Sequence, residues 1–101
     1  MPTGQQDKRE KIVNAADQWT EPLVIHGVGG WGIDSGVPFT ATARLQYRRP
    51  GQTAWNDTTS TMSSSDAEAI LSGLGFEWRA GVPIGGFTIG TLTVWVHRVN
   101  D

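Results

Sequence analysis

Two histidines, His26 and His97, and the carboxylates Asp34, Asp57, Asp66 and Glu68 are the residues on which acid–base or metal chemistry would have to rest in this chain. The histidines are separated by most of the sequence, and no carboxylate stands at a ligand or triad spacing from either. The carboxylates fall in segments that read as loops or as a helix cap, where acidic side chains accept hydrogen bonds from backbone amides. Cysteine is absent, which excludes a thiolate zinc site, a cysteine nucleophile and a disulfide framework together. The run "GVGGWG" has the glycine content of a phosphate-cradling loop, but no helix pattern follows it. No catalytic residue, metal or cofactor is therefore expected.

The five tryptophans are the other conspicuous chemistry. Trp55 and Trp78 fall in register with apolar neighbours and read as core, and Trp19 introduces a strand and could seal one end of the fold. Trp31, in the glycine-rich stretch, and Trp95, on the polar face of the last strand, have no such place. An exposed indole is a frequent anchor for a protein or a sugar, so these two are the partner-binding candidates.

The elements that must position these residues are short strands. "FTATARLQYR" alternates cleanly, with Ala41, Ala43, Leu45 and Tyr47 on one face. "RPGQ" then supplies the proline and glycine of a type II turn, which brings Trp55 back opposite the Tyr47 region and leaves Arg48 and Arg49 flanking a hairpin. "FEWRAGVP" places Phe76, Trp78, Ala80 and Val82 on one face, and "FTIGTLTVWVHR" directs Leu92, Val94 and Val96 inward and Thr93, Trp95 and His97 outward. "PLVIHG" is a first strand, and residues 27–38 read as a loop or a strongly bulged edge. Ser65 and Glu68 have the spacing of a capping box, which predicts a short helical turn ending near Gly73. The whole is all-β: a small Ig-like or jelly-roll-like antiparallel β-sandwich over residues 18–101.

Residues 1–17 differ from the rest, being polar, charged and free of aromatics. They read as an extended N-terminal arm in which Lys8, Arg9 and Lys11 offer charge contacts and Ile12 and Val13 a small apolar foothold, ordered by a partner. A length of 101 residues fits one domain. A net charge of −2 gives no broad basic field, so nucleic acid is not an expected partner. No apolar run approaches the roughly 18 residues of a membrane span, and the N-terminus lacks the apolar middle of a signal peptide.

Taken in order, "NAADQWTEPLVIHG", "FTATARLQYR" with its turn and "TAWND", "FEWRAGV" and "GGFTIGTLTVWVHR" resemble the small β-sandwich virion proteins of tailed bacteriophages. The resemblance spans about residues 14–98 and lies in the order and spacing of motifs that singly encode hairpins. It implies a structural role in many copies: a decoration (cement) protein on the capsid, or a tail- or fibre-associated component. The implied partners are the major capsid protein or other virion proteins and further copies of the chain, in a virion assembled in the host cytoplasm. The competing expectation is a module that binds host-surface carbohydrate by stacking sugar rings on Trp31 and Trp95.

Overall fold

The computed structural model describes residues 8–72 and 75–99. In chain order the strands are β1 (Lys8–Val13), β2 (Gln18–Trp19), β3 (Leu23–Ile25), β4 (Val28–Asp34), β5 (Thr40–Ala41) and β6 (Ala43–Arg48). They continue with β7 (Asn56–Met62), β8 (Asp66–Leu71), β9 (Phe76–Val82), β10 (Phe87–Ile89) and β11 (Leu92–Arg98). One sheet has the order β1-β11-β4-β8; the other has the order β2-β9-β6-β7, with β3 also paired to β9. A two-stranded β10-β5 ribbon completes the fold, and all pairings are antiparallel. The chain is an all-β sandwich in which β11 lies across the core from β9 and β3.

Alternation explains the layers. Leu92, Val94 and Val96 of β11 and Trp31 and Ile33 of β4 enter the core from one sheet, and Leu23, Ile25, Leu45, Trp78, Ala80 and Val82 enter from the other. Each buried branched or aromatic side chain contributes about 1.5–3 kcal/mol relative to exposure, and these contacts hold the sheets together without a disulfide. The turn at residues 49–52 forms as expected. The Gln52 amide donates to the Arg49 carbonyl at 3.0 Å, and Gly51 has φ 88°, a conformation a Cβ would strain.

Three expectations are corrected. Residues 8–13, read as part of the arm, are β1, paired to β11 along its whole length, and Val13 is fully buried. The strand was hidden because an edge strand meets solvent on most sides, so charged residues interrupt its alternation. Residues 1–7 of the expected arm lie outside the described residues. The glycine-rich stretch is not a loop: residues 28–34 are β4, an interior strand of its sheet. The capping-box segment is not helical either: "DAEAIL" is β8, with Ile70 turned inward and Leu71 outward. Gly73, the expected helix end, lies outside the described residues.

Candidate functional site

The outer face of the four-stranded sheet is built in rows by the register. Glu10, Trp95, Gly32 and Ala67 form one row across β1, β11, β4 and β8. Lys8, His97, Gly30 and Ala69 form the next. Beyond them stand Val28 and Leu71, which are direct partners, with Val99 tied to Val28 by its amide at 2.9 Å. At the opposite end Ile12 pairs with Thr93, which also pairs with Asp34.

Glycine is required in β4 by close approach. A Cβ on Gly32 would lie 2.5 Å from Cζ2 of Trp95, and one on Gly30 would lie 2.6 Å from Cε1 of His97. The two rings of β11 therefore lean over β4, with centroids 5.3 Å apart and planes tilted by 41°. Lys8 Nζ sits 5.8 Å from the Trp95 centroid and 3.3 Å from the Glu10 carboxylate, which puts their charge on the β1 margin, and exposed Asp34 adds a carboxylate at the end of β4. Small residues and the two rings make a platform, and Leu71 (80% exposed), Ile12 (65%), Val99 and Val28 leave apolar surface around it. An apolar centre with a charged margin is the composition of a protein-binding patch.

The expected partner-binding residues are divided by this arrangement. Lys8, Ile12 and Trp95 share the platform. Arg9 and Lys11 alternate to the other side of β1, at the open margin of the sandwich. Val13 and Trp31 are corrected: both are core residues with no exposed surface, because β1 and β4 turn their inward positions to the same interior. The Trp31 indole donates from Nε1 to Glu68 Oε1 at 3.2 Å, which satisfies its polar atom at the sheet edge. Sequence reasoning missed Val28, Leu71 and Val99; the alternation of "DAEAIL" was the available signal for Leu71.

The outer face of the other sheet carries a second constellation. The Arg79 guanidinium lies over both Trp19 and Trp55, at 4.3 and 4.5 Å from their ring centroids, and Arg48 also lies over Trp55 at 4.3 Å. Arg79 Nε donates to Gln46 at 2.9 Å, and Gln46 Nε2 donates to Asp57 at 2.7 Å. Arg48 Nε donates to Glu77 at 2.7 Å, and Trp19 Nε1 to Asp17 at 3.0 Å. Burial lowers the Arg79 pKa from its usual value; Asp17 opposes that shift and Arg48 adds to it. One expectation changes here: Trp55 stacks with guanidiniums on the outer face rather than entering the core. Arg48 flanks the hairpin as expected and is also part of this network. The partners satisfy one another, so this constellation ties β2, β6, β7 and β9 together.

The residues considered for catalysis are dispersed over the fold. His26 is exposed, its ring lying where a Cβ on Gly75 would fall. Asp57 accepts from Gln46, Asp66 from the Ala67 amide and Glu68 from Trp31. Among the described residues no three His, Cys, Asp or Glu side chains gather to hold a metal, and no helix is long and apolar enough to cross a membrane. In comparisons with known proteins, the chain matches no family model, no curated protein and no solved structure.

Proposed function

We propose that this chain is a non-enzymatic structural protein that docks onto a repeating protein surface through the outer face of its four-stranded sheet. Its most concrete form is a capsid decoration protein of a tailed bacteriophage, bound to the major capsid protein. The observation that carries the docking reading is the platform itself: Trp95 and His97 laid over Gly32 and Gly30, surrounded by exposed Ile12, Val28, Leu71 and Val99. The virion setting rests on the ordered sequence motifs. Support for protein over sugar comes from the aromatics. Trp31 is buried, Trp19 and Trp55 stack with guanidiniums on the other sheet, and Trp95 alone of the tryptophans stands on the platform, where a sugar-binding face uses several coplanar rings.

The test compares the wild type with Trp95→Ala and Leu71→Asp on capsids assembled without the chain. Each substitution is expected to weaken occupancy by about tenfold or more, as loss of an interface anchor does. The melting temperature of the free domain should stay nearly constant for Leu71→Asp, whose side chain is exposed, and should fall for Trp95→Ala, whose half-buried ring packs over Gly32, so occupancy is compared well below both melting temperatures. Wild-type occupancy by both variants would remove the platform from the account. Binding to a glycan array lost with Trp95→Ala would favour the carbohydrate reading instead.

A further inference from the structure

β1 and β8 are the two margins of the four-stranded sheet, and among the described residues no strand pairs the far side of either. Each is six residues long. Because every neighbour in β1-β11-β4-β8 is antiparallel, β1 and β8 run in opposite directions. A second copy set alongside in the same orientation would therefore continue the antiparallel ladder. The number of strands is even, so the alternation of hydrogen-bonded and non-bonded pairs also carries across the junction in phase.

The register makes this junction specific. Along one level of the sheet Arg9 pairs with Val96, Val96 with Trp31, and Trp31 with Glu68. Two levels away Lys11, Val94, Ile33 and Asp66 follow one another in the same way. A neighbour that continues these levels sets its Arg9 against Glu68 and its Lys11 against Asp66, both on the same side of the sheet. On the other side its Lys8 and Glu10 meet Ala69 and Ala67. β1 carries three cations and one anion, a net +2; β8 carries two anions, a net −2. Charge on an exposed edge ordinarily prevents strand pairing. Here it opposes β1 with β1 and β8 with β8, and favours only β1 with β8.

We propose that copies of this chain associate edge to edge, β8 of one against β1 of the next, in a head-to-tail contact that forms one continuous sheet. Such a contact is heterologous, so it either closes into a ring or propagates. The inference is independent of the docking platform, which it leaves uncovered.

Sedimentation of the full-length protein over a concentration series tests it. The wild type is expected to self-associate, more weakly at high salt. Arg9→Glu with Lys11→Glu makes both edges acidic, and Asp66→Lys with Glu68→Lys makes both basic. Each double variant is expected to associate about tenfold or more weakly by itself, and an equimolar mixture of the two to recover association. A wild type that stays monomeric, or a mixture no better than its components, would overturn the proposal. Register is read separately in the cysteine-free background, without dependence on the charge variants folding. Directly opposed residues lie about 4.5–5.5 Å apart at Cα, within disulfide range. Glu10→Cys with Ala67→Cys should give intermolecular disulfides on mild oxidation, whereas Glu10→Cys with Ala69→Cys, two residues out of register, should not. Equal cross-linking of both pairs would reject the register.

Discussion

A guanidinium held against two indoles does work that a point charge cannot. Arg79 lies over Trp19 and Trp55 and donates to Gln46 through Nε, so Arg79→Ala should destabilise the domain by about 1–3 kcal/mol. Arg79→Lys should recover little of that, because an ammonium has neither the plane nor the fork. Urea unfolding of the three forms checks both statements; a lysine variant as stable as the wild type would show that charge alone matters. A second residue-scale prediction concerns Gly32. Gly32→Val forces a branched side chain into the Trp95 ring and the Asp66 carbonyl, and overpacking of this kind costs about 1–3 kcal/mol. The melting temperature should fall, and the near-ultraviolet circular dichroism of Trp95 should change with it.

At the scale of elements, β1 is integral to the sandwich rather than an arm. Deleting residues 1–13 removes buried Val13 and strips β11 of a partner along six residues. The truncated chain is expected to lose several kcal/mol, roughly the burial of Val13 plus an unpaired ladder, and its denaturant midpoint should drop sharply. A midpoint equal to the full chain's would restore the arm reading. This strand also shows what the sequence could convey. β6, β9 and β11 were legible because each has one face on the core and one in solvent, which writes a period of two. β1 is an edge with charge on both faces, which overrides that period; β8 keeps the period in Asp66, Ala67, Glu68 and Ala69, but the spacing of Ser65 and Glu68 also fits a helix cap and hid it. β4 was illegible for another reason: its glycines report on rings that reach it from β11, and nothing local to residues 28–34 announces those rings. Of the candidate site, Trp95, Ile12 and Lys8 could be read from their own segments. Their assembly with Val28, Leu71 and Val99 depends on strand order, which alternation does not encode.

For the whole molecule, the domain is a slab with principal extents of 36 × 29 × 18 Å, and the platform occupies one broad side. Four strands about 4.8 Å apart and some six residues long at about 3.4 Å each span roughly 400 Å². That is about half of the ~800 Å² per partner found in standard stable interfaces. A single domain should therefore bind weakly, and firm attachment should come from many copies acting together, by edge contacts or by repetition of the site. The most direct measurement is a density map of a particle carrying the chain, at a resolution that traces its strands. The face bearing Trp95, His97, Val28 and Leu71 is expected to lie against the underlying protein, with the Trp19–Arg79–Trp55 face toward solvent. A map with Trp95 and Leu71 facing solvent, and attachment through the opposite sheet or the loops, would contradict it.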